Sequence, residues 1–418
     1  MEQSVYSTCL EILREELIPA LGCTEPIAIA YAASRAREIL GRMPEKILVE
    51  CSGNIIKNVM GVTVPTTGDM RGIDTSAILG SLLTASARGL EVLTAATPKD
   101  IERTRELVNT GMCQVNLLEG VSNLHIIIHS YAGEDEAIVE ICDGHTNIVR
   151  EELNGTILYQ NQAGSVQGRD RRAELELLTM SNIYEFAVTA ALEDLELILS
   201  RQVEYNRAIA QEGLQGNYGA NVGSSLLAHY PEDIRTRARA LPAAGSDARM
   251  GGCVLPVVIN SGSGNQGMTA SLPVLAYAQE LGSSDEMLYR ALALSNLTAI
   301  HVKAGLGKLS AYCGVVGAAT GAGAGITYLH GGDFSAISRT VTNTLANVSG
   351  IVCDGAKPSC AAKIASSVDA AILAHYMSMD QQSFHSGDGL VAEDVEATIR
   401  NIARLGREGM RATDVEIL

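Results

Sequence analysis

Three cysteines in the last quarter of this chain have the types and spacing to do chemistry together: Cys313 in KLSAYCGVVGAATGAGAG, and Cys353 and Cys360 in GIVCDGAKPSC. Thiolates are soft ligands that hold iron–sulfur clusters or zinc, and a pair seven residues apart with a third forty upstream can converge on one ion or cluster. Three ligands leave one metal position free for substrate, as catalytic rather than structural metals require. Spacing alone keeps a plainer alternative open. Neither a CxxC pair nor a Cys/His finger is present, and free cysteine often packs in cores.

A fourth cysteine sits in Leu21-Gly22-Cys23-Thr24-Glu25-Pro26. Gly22 is expected to end one helix and Pro26 to open the next, with Thr24 or Glu25 as the cap. That puts Cys23 beside a helix N-terminus, where unpaired N–H groups and the helix dipole favour thiolate. Cys23 is therefore a candidate base, nucleophile or extra iron ligand, the alternative being a small filler in a turn. Farther on, ILVEC predicts a strand over residues 46–50, and SGNIIKNVMGVTVPTTGDMRG reads as turns and a hydroxyl-rich loop. Ser52, Asn54, Thr66, Thr67 and Asp69 would suit a small polar substrate there, although turns favour the same residues. His125 and His129 share a strand face without a third ligand nearby.

The elements that must position these groups predict an α+β protein, mainly helical with an inserted antiparallel-sheet domain. Residues 1–40 and 74–110 read as helical. The runs CQVNLL, NLHIIIHSY, EAIVEIC, TNIVREEL and GTILYQ predict an antiparallel meander over 113–160. The charge-dense GRDRRAELELL marks a return to helices, so we divide the chain into a helical domain (1–44 and 173–418) and a substrate-side domain (45–172), with the site between them. Gly-rich stretches at 216–225, 260–271 and 303–325 interrupt the helices. The middle one matches neither GxGxxG nor a P-loop, but its glycines expose N–H groups at a helix start, which suits a carboxylate. Leu309–Leu329 lacks charge yet is mostly Gly, Ala, Ser and Thr, so a buried helix is expected rather than a membrane span.

Composition narrows the function classes. A net charge of −17 and the lack of any basic stripe disfavour nucleic acid and anionic membranes, and the absence of Trp with only three Phe disfavours base stacking. The N-terminus has no signal-peptide order, so a cytoplasmic protein with reduced thiols is expected. The odd count of nine cysteines agrees. Gly/Ala-rich helices can pack within or between subunits, and a homo-oligomer is a further expectation.

LGCTEP, SGNIIKNVMGVTVPTTG, INSGSGNQG, HVKAGLGKLSAYCG and GIVCDGAKPSCAAKIAS together resemble the iron–sulfur L-cysteine desulfidase family, nearly end to end. The second half is also similar to iron–sulfur L-serine dehydratases. The resemblance implies that Cys313, Cys353 and Cys360 bind a [4Fe–4S] cluster with one open iron. It implies β-elimination of L-cysteine to hydrogen sulfide, ammonia and pyruvate, with the iron as Lewis acid for departing thiolate. By the same comparison Cys23 would be the base, with Lys303 or His301 in reserve. Ser52, Asn54, Lys57, Thr66, Thr67, Ser263, Asn265 and Gln266 would form the substrate shell, and the Gly264–Gly267 turn or the iron would take the carboxylate. Some serine dehydratases cap the open iron with a C-terminal cysteine, whereas this chain ends TDVEIL. The competing readings are L-serine dehydratase, a PLP lyase using Lys57, Lys303 or Lys308, and a non-catalytic cluster-bearing sensor.

Overall fold

The computed structural model describes residues 1–161, 171–307 and 310–417. Lys308, Leu309 and residues 168–170 of the charge-dense stretch lie outside the described residues. The chain opens with helix α1 (Gln3–Glu16), short strand β1 (Pro19–Leu21) and helix α2 (Thr24–Leu40). Strand β2 (Lys46–Ser52) follows, then α3 (Gly53–Val59), α4 (Ile73–Leu82), a 3-10 stretch (Ser86–Ala95) and α5 (Pro98–Val108). Five strands come next: β3 (Cys113–Leu118), β4 (His125–Ala132), β5 (Asp135–Cys142), β6 (Ile148–Leu153) and β7 (Thr156–Gln160).

The rest is helical apart from β8 (Pro256–Val258): α6 (Arg171–Glu176), α7 (Met180–Thr189), α8 (Leu192–Gln215), α9 (Val222–His229) and α10 (Ile234–Met250). Beyond β8 come α11 (Gly264–Glu280), α12 (Asp285–Ala304), α13 (Val315–Leu329), α14 (Phe334–Asn347), α15 (Cys360–Met379), α16 (Val395–Arg404) and α17 (Arg411–Ile417). The architecture is α+β, as the sequence pattern predicts.

The sheet corrects one expectation. Its order is β3-β2-β4-β5-β6-β7, and the antiparallel meander holds only for β4 to β7. Strand β3 lies at the edge and runs parallel to β2, which is inserted between β3 and β4. The physical reason is the long helical crossover α3–α5, which returns the chain in the same direction; the alternation within β3 carries no information about its partner. A second correction concerns residues 53–59, which form α3 rather than turns. A third concerns Gly22, which follows a strand instead of ending a helix: β1 pairs with β8, and Cys23 itself occupies the N-cap position of α2.

Helix α2 lays Ala28, Ile29, Ala32, Ala33 and Ala36 on the sheet, against Ile47, Val49, Ile126, Ile128 and Val139. Small side chains at this spacing let helix and sheet approach closely. Helix α13 is central to the helical part, with Val316, Ala319, Ala322 and Ile326 fully buried, which explains the uncharged run. No helix among the described residues is long and apolar enough to cross a membrane. The terminal helix α17 is tied inward by Asp414, which pairs with Lys57 (Nζ–Oδ1 2.7 Å) and accepts a hydrogen bond from the Ala311 N–H (3.1 Å).

Two outcomes follow from buried polar groups. Lys57 is 4 % exposed and Asp414 18 %. Removing one partner of such a pair strands a buried charge at a cost of about 3 kcal/mol. Asp414→Asn therefore lowers the unfolding midpoint and opens the C-terminal segment to limited proteolysis. His375, in α15, is 1 % exposed and packs against His330, the rings tilted at 42° with centroids 4.5 Å apart. Burial, and then the field of His330, lowers its pKa from 6.5 to about 4. The unfolded chain binds this proton and the folded chain refuses it, so stability falls as pH drops from 6.5 to 4, by up to about 3 kcal/mol. Urea unfolding across that range should show the slope in the parent and a shallower one in His375→Gln.

Candidate active site

A cavity of about 90 Å³, lined mostly by buried residues, draws its walls from residues 25–58 and from 249–360. Its walls are built where helices begin. Helix α11 contributes Ser263, Asn265 and Gln266 from its start, α13 contributes Cys313 and Gly314, α15 contributes Cys360, and α2 contributes Glu25. None of these four helices carries a side-chain cap, whereas α5, α7, α10, α12, α14 and α16 do. The positive ends of these four helix dipoles therefore lie at one small volume.

A short backbone bridge brings two cysteines side by side. Tyr312 and Val352 pair in antiparallel fashion, Cys313 N–H donates to Ile351 O (2.9 Å), and Cys353 N–H donates to Ala311 O (2.6 Å). Lys363, one turn into α15, donates to Val352 O (2.9 Å) and pairs with Asp354, tying the Cys353 loop to the helix that begins at Cys360. Gly355 adopts φ +100°, and a Cβ there would lie 2.5 Å from Lys57 O, so only glycine lets the loop pass α3. All nine cysteines are free thiols.

The hydrogen bond between Cys313 and Cys353 divides the pair: it lowers the pKa of Cys353, against the cost of burial and with help from the Gly355 N–H, Lys57 and Lys303. The same bond and burial push Cys313 up, while burial raises Cys360. Among the described residues, no group of three or more His, Cys, Asp or Glu side chains is gathered tightly enough to hold a single metal ion. A four-iron cluster makes a different demand, because it takes one thiolate at each of several corners. Three thiols lining one cavity fit the type of that donor set.

Most residues nominated from the sequence line this cavity: Asn54, Lys57, Ser263, Asn265, Gln266 and Lys303 join the three cysteines. Asn54, Lys57 and Asn58 are buried on one face of α3, at i, i+3 and i+4. Four wall residues carry a buried polar atom with no hydrogen-bond partner among the described residues: Asn54 Oδ1, Asn58 Oδ1, Gln266 Oε1 and the Tyr312 hydroxyl. Buried polar atoms are rarely left so, and their concentration here marks a place prepared for a polar ligand.

Other nominated residues stand elsewhere. His301 is bonded to Glu396 (Nε2–Oε2 2.8 Å) and does not line the cavity. Thr67 donates to Val64 O (2.7 Å), closing its own turn, and Thr66 sits beside it at φ +70°. Ser52 donates to Asn123 O (2.7 Å) and faces an outer recess of about 720 Å³, which shares Asn54 and Ser310 with the cavity. Asp69 pairs with Arg105 at the surface. His125 bonds Glu140, and His129 bonds Glu50 and Glu136.

Cys23 requires a correction. It adjoins the cavity, near enough to Cys360 for their charges to interact, but its pKa is pushed up to about 12 rather than lowered. Complete burial outweighs Arg249 and the helix start, and the thiol donates to Met250 Sδ (3.6 Å).

Sequence reasoning missed Glu25 as a wall residue, and Asn58, Arg249, Ser310 and Tyr312 altogether. Glu25 accepts from Asn58 Nδ2 (2.9 Å). The signal available was the polar i, i+3, i+4 pattern of Asn54, Lys57 and Asn58, legible only once 53–59 is a helix. Arg249 ends an Ala-rich helix and has no local signal.

The serine dehydratase alpha chain family matches residues 87–418, a span that takes in Arg249, Asn265, Gln266, Lys303 and the three wall cysteines. The chain is 51 % identical to a UPF0597 protein of Lachnoclostridium phytofermentans over 99 % of both chains. It is 50 % identical to one of Desulfitobacterium hafniense, over 99 % of this chain and 96 % of that protein. A Finegoldia magna UPF0597 protein is 44 % identical over 98 % and 97 %. The chain thus belongs to the serine dehydratase alpha chain family.

Proposed function

We propose that the cavity is the active site of a lyase that β-eliminates L-cysteine to hydrogen sulfide, ammonia and pyruvate. The observation that supports it is the composition of the wall: three thiols and three unpartnered amide carbonyl oxygens line one cavity, together with buried Lys57 and Lys303. In this reading Cys313, Cys353 and Cys360 hold a [4Fe–4S] cluster, which supplies a Lewis acid for the departing sulfur.

The chain's own residues bind and move protons. The carbonyl oxygens of Asn54, Asn58 and Gln266 accept from the substrate ammonium. Lys303, once its ammonium has released its own proton to solvent, takes the Cα proton as the neutral amine, a role we assign to it because burial keeps the Cys23 thiol from ionising. The Cα–H electron pair becomes the Cα=Cβ bond as the Cβ–S bond breaks, and HS⁻ leaves to be protonated. Aminoacrylate tautomerises to the imine, and water releases ammonia and pyruvate. Burial of the cavity holds the ammonium and carbonyl dipoles in fixed array and keeps bulk water from the reacting atoms. The match to serine dehydratase alpha chains favours a second reading, in which L-serine loses hydroxide from the same site.

The test is anaerobic reconstitution with iron and sulfide, followed by iron analysis and assays of sulfide and pyruvate from L-cysteine and of pyruvate from L-serine. The reading expects about four irons per chain, their loss in Cys353→Ala, and sulfide release from L-cysteine. Lys303→Met should keep the iron and lower kcat at least about 100-fold. Turnover of L-serine alone moves the protein to the second reading, and protein that takes up no cluster sinks both.

A further inference from the structure

Arg249, at the end of α10, is a charged wall residue that the elimination leaves without a task. Its side chain is buried, 3 % exposed, with Nε donating to Gly22 O (2.9 Å) and Nη1 to Asn265 Oδ1 (3.2 Å). Both partners are neutral. Elsewhere in the molecule partly buried cations meet carboxylates, as Arg35 meets Glu151 and Lys57 meets Asp414, but Arg249 has no carboxylate partner among the described residues. A buried guanidinium without an anion is strongly unfavourable, and three of its five N–H groups are left over.

The guanidinium is also held in a set direction. Gly22 fixes one side of the fork and Asn265 the other, and Gly264 makes room: a Cβ there would stand 2.5 Å from Arg249 Nε. Its charge reaches both Cys23 and Cys360, which puts it between the turn that opens α2 and the wall that carries the thiols.

We propose that Arg249 is the substrate's carboxylate anchor, its spare N–H groups receiving the α-carboxylate of the amino acid bound in the cavity. Planar, always charged and two-pronged, a guanidinium matches a carboxylate as an ammonium does not. The inference rests on the amino-acid-eliminating reading and defines the substrate class more narrowly. Free L-cysteine is accepted, whereas cysteamine, L-cysteinamide and peptides with N-terminal cysteine lack the group that Arg249 requires.

The test uses the anaerobically reconstituted protein, with L-cysteine and L-cysteinamide as substrates and pyruvate as a calorimetric ligand, in the parent and in Arg249→Lys and Arg249→Gln. The parent should prefer L-cysteine to the amide. In Arg249→Gln the KM for L-cysteine should rise about 10- to 100-fold at unchanged iron content, the affinity for pyruvate should fall in step, and the preference over the amide should vanish. Equal use of L-cysteine and its amide by the parent overturns the proposal without recourse to any variant. So does an unchanged KM, or iron lost in Arg249→Gln and kept in Arg249→Lys with normal KM, which would make the cation a partner of the cluster thiolates. If the parent eliminates nothing yet binds pyruvate through Arg249, the anchor stands and the elimination reading falls. Absence of both turnover and carboxylate binding overturns both.

Discussion

A positive potential confined to a small buried volume is the constraint on which the rest of this structure depends. Four helices begin at the cavity without side-chain caps, and Lys57, Lys303 and Arg249 add cationic side chains to its wall. Each helix end carries roughly half a unit of positive charge, which a wall of mostly buried residues screens weakly. Glu25 and Asp414 answer part of this from within the chain, through Asn58 and Lys57. The balance favours anions, whether thiolates or a carboxylate. The lowered pKa of Cys353, held down first by its hydrogen bond to Cys313, and the raised pKa of Cys23, which lacks such a bond, show how hydrogen bonding and desolvation compete over a short distance.

That constraint accounts for the irregular elements around the site. Residues 53–59 spend most of their inward face on Asn54, Lys57 and Asn58, a poor use of a helix in an ordinary core. The sheet supplies what α3 lacks, since β2 feeds directly into it and is itself locked between β3 and β4. The single bridge between Tyr312 and Val352 brings together cysteines that lie forty residues apart in sequence. Asp414 does the same for the chain end, so that α17 closes over Lys57 and Ala311. Packing of small residues makes this convergence feasible: α13, threaded with Gly and Ala, lets α11, α12 and α15 approach it closely.

Much of the fold and site could be read from residue types and local spacing. Alternation marked β4 to β7, the uncharged Gly/Ala run marked a buried α13, and the cysteine-bearing segments marked the wall, because these signals are local and survive in one dimension. Parallel pairing of β3 with β2 could not be read, since register between distant strands depends on the crossover that joins them. Nor could the state of Cys23, where the helix start predicts thiolate and burial decides the reverse. His301 looked eligible until its ring was found on Glu396, and Arg249 looked ordinary until its partners were seen to be neutral. The sequence by itself determined which groups could ligate, accept or donate. The tertiary structure alone decided which of them share a cavity and which charge is left unanswered there, because desolvation and ion pairing are set by neighbours far apart along the chain.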